Sequence, residues 1–81
     1  MSKDKKLYQV FKKFTQKYDD GYSTVLNIPL GYTYANSINK AISNVKYDRG
    51  IKTKNHYTKD NYTTNCLEIY DFIAYEVKKE E

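Results

Sequence analysis

A cysteine nucleophile working with a histidine base is the first chemistry to consider, because the chain has one residue of each type, Cys66 and His56. Nucleophilic catalysis also needs a third group that orients the base. Both residues fall in polar, strand-like sequence, which is typical of a small strand residue for Cys66 and of a surface residue for His56. The sequence therefore predicts no catalytic residue, and we expect a protein that is not an enzyme.

Paired carboxylates are the second possible chemistry, because Asp19 and Asp20 could serve as general acid and base. They directly precede Gly21, however, and this order is typical of the turn that ends a helix. The three glycines are scattered and form no phosphate-binding loop. One His and one Cys are too few for a Cys/His metal site. We therefore expect neither a metal nor a cofactor.

The lone cysteine also bears on the compartment. It excludes a disulfide within the chain and fits a reducing environment. The residues after Met1 are polar, with no apolar run typical of a signal peptide. No apolar stretch reaches the length that spans a bilayer. We expect a cytoplasmic protein without membrane contact.

Basic and amide side chains in the middle of the chain offer recognition chemistry instead. The net charge is +4, and residues 40–59 contribute five Lys and one Arg against a single Asp. Asparagine can pair with adenine through two hydrogen bonds, and lysine can reach guanine or a phosphate. The predicted nucleic-acid-binding residues are Asn36, Asn39, Lys40, Ser43, Arg49, Lys52, Lys54 and Lys59. The predicted partner is nucleic acid or a nucleoprotein complex, as for a small regulator of phage or mobile-element type.

Amino-acid usage supplies a plainer interpretation of the same residues. Lysine, asparagine, tyrosine and isoleucine all have AT-rich codons and are abundant, whereas Arg49 is the only arginine. A lysine-rich surface can thus reflect coding bias alone. The planar fork of arginine is favoured for reading phosphates and bases, so its scarcity counts against a dedicated reader.

A helix followed by a basic hairpin resembles the layout of a winged helix-turn-helix. The resemblance rests on residues 30–33 as a turn, followed by Ile38 and Ile42 on a helix. Pro29 and the strand-like residues 22–28 stand where that family has its preceding helix. The chain is therefore not assigned to that family.

A protein target is the alternative partner. Small chains with one cysteine and no motif are common among accessory proteins that block a host or defence complex, including anti-CRISPR-like inhibitors. Tyr57, Tyr62 and Tyr70 would then be the interface anchors. A basic amphipathic helix at the start of the chain could also lie on a membrane, but its apolar residues are explained more simply as core.

The elements that must position these residues follow from apolar spacing. A helix is predicted over 3–18, because its apolar residues recur at three- and four-residue intervals. A strand is predicted over 22–28, ended by Pro29. A second helix is predicted over 33–47, capped by Thr33 and ended at Arg49-Gly50. Strands are predicted over 51–58 and 62–77, with a helix over 67–79 as the competing interpretation.

These elements predict an α+β fold of one domain, 1–81, in the order α-β-α-β-β. Two amphipathic helices need an apolar surface, so we expect them to pack on one face of a three-stranded antiparallel sheet. Leu, Ile, Val and Phe total only 17 residues, and several tyrosines must therefore complete the core. A thin core and an edge strand such as 22–28 make a homodimer possible.

Overall fold

A computed structural model describes residues 5–78 as four strands and one helix in the order β-β-α-β-β. The elements are β1 (Lys6–Tyr18), β2 (Ser23–Ala35), α1 (Ile38–Arg49), β3 (His56–Asn61) and β4 (Cys66–Glu76). The strands form one antiparallel sheet in the order β2-β1-β4-β3. The predicted three-stranded sheet with two helices is therefore wrong, since the sheet has four strands and a single helix lies on it.

The first predicted helix, over 3–18, is the strand β1 over its described length. β1 is a central strand, paired with β2 on one side and β4 on the other. Its apolar residues satisfy helical spacing, but they also populate both faces of a strand, with Leu7 and Phe11 on one and Val10 and Phe14 on the other. Tyr8 adds to the second face and lies outside the helical stripe. Two paired neighbours with apolar faces override the local helical pattern.

The Asp19-Asp20-Gly21 turn signal closes a β-hairpin and does not end a helix. Gly21 has φ +89°, and the Tyr18 N–H donates to the Tyr22 carbonyl at 2.8 Å. The Asp20 carboxylate accepts from the Tyr22 N–H at 2.9 Å. These residues therefore hold β1 and β2 together at one end of the sheet.

β2 continues through Pro29, where the sequence predicted its end. A proline lacks a backbone N–H, which is tolerated on an edge strand because one side of that strand has no ladder. The ladder shifts at this point, since Val10 pairs with Gly31 and Phe11 with Pro29, leaving Leu30 as an extra residue. β2 then runs to Ala35, so Thr33 is a strand residue and does not cap the helix.

α1 begins five residues later than predicted. The Ser37 hydroxyl accepts from the Lys40 N–H at 3.2 Å and caps the helix. The predicted end at Arg49-Gly50 is confirmed: Gly50 has φ 70°, and the N–H groups of Gly50 and Ile51 donate to the last carbonyls. The predicted apolar stripe of the helix is confirmed at Ala41, Ile42 and Val45, which are buried.

The last two strands form the predicted hairpin with shorter bounds. Residues 51–55 are a loop, and β3 starts at His56. The Asn61 side chain accepts from the N–H groups of Thr63 and Thr64, and Asn65 has φ 54°, which shapes the turn. The helix over 67–79 that competed for this segment is wrong over the described residues, because β4 is a strand to Glu76.

The core lies under α1 at one end of the sheet. α1 packs against β1, β2 and β4. The buried cluster consists of Tyr8, Val10, Ala35, Ala41, Ile42, Val45, Phe72 and Ala74. On the same face, further along the strands, α1 covers nothing: Leu26 and Ile28 are 56% and 39% exposed. The face with α1 is called the helix face below, and its second half is open.

Candidate nucleic-acid interface

The eight predicted binding residues fall into three groups in the structure. Asn39, Lys40 and Ser43 are exposed on the outside of α1, and Asn36 is exposed just before it. Lys40 and Ser43 line a shallow groove of about 440 Å³ between α1 and β2, together with Thr33 and Tyr47. These four predicted residues therefore share one side of the molecule.

Arg49 lies at the carboxyl end of α1 and has a structural contact. Its Nε donates to the Leu30 carbonyl at 2.6 Å, and so α1 is tied to the extra residue of β2. Lys52 and Lys54 are exposed on the loop over 50–55, and Lys59 is exposed on the edge strand β3. The lysines of this third group are separated from the outside of α1 by the helix itself.

Aromatic rings cross the open half of the helix face in a row. The register places Phe14 beside Tyr70 and Tyr70 beside Tyr57, on three neighbouring strands. The Phe14 and Tyr70 rings are 4.9 Å apart at 33°, and the Tyr70 and Tyr57 rings are stacked at 4.6 Å and 10°. These three residues, called the aromatic platform below, are half-buried by one another.

Lysines surround the aromatic platform. The Lys12 Nζ lies 5.1 Å from the centre of the Tyr70 ring, a cation–π distance. Lys59 follows Tyr57 by two residues and thus lies on the same face. This arrangement gives the rings a local positive charge.

The loop that carries Lys52 and Lys54 is fixed beside the platform. The Asn55 carbonyl accepts from the Phe72 N–H at 3.0 Å, next to Tyr70 on β4. The Lys46 Nζ donates to the Asn55 side chain at 2.7 Å and also to the Thr53 carbonyl. The two exposed lysines are therefore held at the start of β3, where Tyr57 begins the row of rings.

A row of polar side chains lies next to the rings on the same face. The Glu68 carboxylate accepts from the Asn61 amide at 3.0 Å and from the Tyr70 hydroxyl at 2.9 Å. These two hydrogen bonds hold the pKa of Glu68 below its ordinary value. Burial, and then the bond to Glu68, raise the pKa of Tyr70 to about 12. At neutral pH Glu68 is thus charged and Tyr70 keeps its proton, which fixes the orientation of the central ring.

Cys66 and His56 do not meet. His56 pairs with Asp71 at one end of the hairpin, and Cys66 pairs with Asn61 at the other, about 17 Å along the strand. The His56 Nδ1 is hydrogen-bonded to the Asp71 carboxylate, whereas Cys66 is a free, buried thiol near Thr64. Among residues 5–78, no three His, Cys, Asp or Glu side chains are close enough to hold a metal ion. No helix in that range is long and apolar enough to cross a membrane.

Sequence reasoning missed the platform because it assigned Phe14 to a helix. Tyr57 and Tyr70 were predicted as exposed anchors, but both are half-buried against the sheet, and of the three predicted anchors only Tyr62 stands free at 83% exposure. The signal that could have found the platform is the alternation of Lys12, Phe14 and Gln16 in a strand register. That register also places them beside β4.

Comparison with known proteins returned no match: no family model, no curated protein and no solved structure is similar to this chain. A function for the chain is therefore inferred from the site itself.

Proposed function

We propose that this protein binds single-stranded nucleic acid on the open half of its helix face. The observation that carries the proposal is the row of three aromatic rings with lysines around it on an uncovered sheet surface. Aromatic side chains on a sheet recognise unpaired bases by stacking, and a basic surface beside them holds the phosphates. Binding of this kind involves no reaction, metal or cofactor.

The stack of rings indicates where a base enters. Phe14, Tyr70 and Tyr57 are already in contact with one another, and Tyr57 is on the edge strand β3. An incoming base extends the stack at its Tyr57 end. Asn61 and Glu68, in the neighbouring polar row, offer hydrogen-bonding groups to a base edge. Such a site prefers single strands, because bases inside a duplex do not expose their faces.

The lysines at this end of the sheet are proposed to contact phosphates. Lys52 and Lys54 on the fixed loop and Lys59 on β3 keep the binding role that the sequence predicts. Arg49 is proposed to act through α1, since its Nε is bonded to the Leu30 carbonyl. The predicted residues on the outside of α1, namely Asn36, Asn39, Lys40 and Ser43, would serve a duplex or a nucleoprotein surface as a separate contact.

A stacking test compares two variants that each remove one tyrosine ring. Tyr57→Ala removes the open end of the stack and should weaken binding of a labelled single-stranded oligonucleotide, by about 1–3 kcal/mol per stacked base. Tyr62→Ala removes an 83% exposed ring in the β3–β4 turn and should leave affinity unchanged. Fluorescence anisotropy measures both, with circular dichroism confirming the fold. Equal affinities for the two variants would contradict the stacking role.

A charge test separates the loop lysines from general electrostatics. Lys52→Glu with Lys54→Glu should weaken binding strongly and flatten its dependence on salt, by about 0.7 in the logarithmic slope for each phosphate that the protein no longer neutralises. Lys5→Glu with Lys78→Glu makes the same charge change at exposed positions on the far end of the sheet. An identical weakening in both pairs would indicate attraction to net charge alone.

A stoichiometric protein inhibitor, acting on a host or defence complex, is the second candidate. It is favoured by two nearly free rings, Tyr47 at 87% and Tyr62 at 83% exposure, since exposed tyrosines are frequent interface anchors. A pulldown from host extract that yields one stoichiometric partner, absent with the Tyr47→Ala and Tyr62→Ala variant, would support it. Under either candidate we propose the cytoplasm as the site of action, where the thiol of Cys66 stays reduced.

A further inference from the structure

The sheet face opposite α1, called the open face below, is apolar where it should be polar. Antiparallel sheets with one covered face usually turn polar side chains to water on the other. In this sheet the register places Leu7, Phe11, Tyr32, Tyr34, Ile73 and Tyr75 together on that side. Phe11 and Tyr75 are in edge-on contact at 5.9 Å. Nothing within residues 5–78 covers this cluster.

The exposed apolar area is large for so small a chain. Tyr32, Tyr34 and Tyr75 are 61%, 62% and 59% exposed. An aromatic side chain offers about 150–250 Å², so these three rings alone expose on the order of 350 Å². Leu7, Phe11 and Ile73 extend the same patch. Contiguous apolar patches of this size on soluble chains mark interaction sites.

The dimensions of the open face match those of a protein interface. Strands about 4.8 Å apart, with a rise of about 3.3 Å per residue, give the whole face roughly 700 Å². A standard stable interface buries about 800 Å² on each partner. The chain is only 17 Å thick against 48 and 30 Å in its other dimensions. A second layer would supply the missing half of a two-sided core.

Charge on the open face favours a second copy over a nucleic acid. The register places Lys13 and Lys17 on this face with Asp60 and Asp71, so its formal charge is zero while the whole chain carries +4. A neutral face attracts no phosphate backbone. It also brings two identical copies together without repulsion between like net charges.

We propose that a second copy of this chain covers the open face, giving a face-to-face β-sandwich with both helices outside. The contact is isologous, because each copy contributes the same surface. Pairing through the edge strand β2 is disfavoured, since Pro29 and the extra residue Leu30 interrupt its ladder. This dimer does not depend on nucleic-acid binding, because the aromatic platform lies on the other face.

Sedimentation equilibrium of the full chain tests the proposal. At about 100 µM, well above a micromolar Kd for an interface of this size, the species should have twice the 9.6 kDa mass of one chain. Tyr32→Lys with Tyr75→Lys should give the single-chain mass, because buried lysines oppose association. Tyr47→Lys with Tyr62→Lys is the matched control, at exposed rings off the face, and should leave the dimer intact.

A monomeric wild type, an unaffected Tyr32 and Tyr75 variant, or equal dissociation of the control would each overturn the proposal, whatever else the face then binds. If the face variant fails to fold, dilution of the wild type followed by NMR replaces it. Dilution should shift the resonances of Leu7, Phe11 and Ile73. Shifts confined to the backbone of β2 would instead indicate edge pairing and would also overturn it.

Discussion

Individual side chains on the helix face combine apolar contact with fixed protonation. Tyr70 contacts a ring on either side and donates its hydroxyl to Glu68 at 2.9 Å. A protonated tyrosine bonded to a charged carboxylate cannot rotate freely without breaking that bond. The central ring of the platform is thus held in place before any base arrives, which lowers the entropic cost of binding.

The charge on Glu68 makes a pH-dependent contribution to stability. Its pKa in the folded state lies below the ordinary value of 4.5, chiefly through the hydrogen bonds from Asn61 and Tyr70. A depressed pKa contributes stability above the unfolded value, and this stability disappears as the pH falls through the folded value. We therefore expect the free energy of unfolding to fall below about pH 4.5.

The variant Glu68→Gln isolates this contribution. It retains a side chain that can accept from Asn61 and Tyr70 but does not titrate. Its free energy of unfolding, measured in urea between neutral pH and pH 3, should fall less than that of the wild type. Parallel curves for the two proteins would show that the destabilisation in acid comes from other carboxylates.

At the scale of elements, β1 determines the whole arrangement. It is paired on both sides, and its Val10 is fully buried at 0% exposure under α1. β1 also carries Phe14 and Lys12 to the aromatic platform. Weaker packing at Val10 should therefore be felt across the sheet.

Val10→Ala is predicted to destabilise the protein by about 2 kcal/mol, as removal of buried methyl groups leaves a cavity. Val25→Ala makes the same chemical change in β2 at a position that is 56% exposed, and should cost less than about 0.5 kcal/mol. Urea unfolding monitored by circular dichroism measures both. Similar costs at the two positions would contradict the placement of the core.

Some elements were predictable from the sequence for local physical reasons. α1 carries its apolar stripe at Ala41, Ile42 and Val45, and Gly50 ends it in the left-handed conformation. The β3–β4 hairpin follows from strand-like segments around a polar turn. In these cases the local signal and the tertiary environment agree.

Other elements depend on neighbours that the sequence does not reveal. Residues 6–18 satisfy both helical and strand spacing, and only the pairing of β1 with β2 and β4 decides between them. Pro29 ends a central strand but not an edge strand, and edge position is a property of the sheet. The platform was missed together with β1, whereas the proposed binding lysines Lys52, Lys54 and Lys59 could be named from charge alone.

At the scale of the whole molecule, the two sheet faces have different characters. The helix face is half covered by α1, and its open half carries rings and lysines. The opposite face is apolar and neutral. In a face-to-face dimer the two platforms would lie on opposite outer surfaces, so that one long strand could engage both and gain from effective concentration.

NMR mapping of the protein with a short single-stranded oligonucleotide shows most directly whether the aromatic platform binds bases. We expect the largest shifts on Phe14, Tyr57 and Tyr70 and on Lys12 and Lys59, with little change at the outside of α1. Shifts centred on Asn39, Lys40 and Ser43, or no shifts at low salt, would contradict the proposed function and move the binding site away from the aromatic platform.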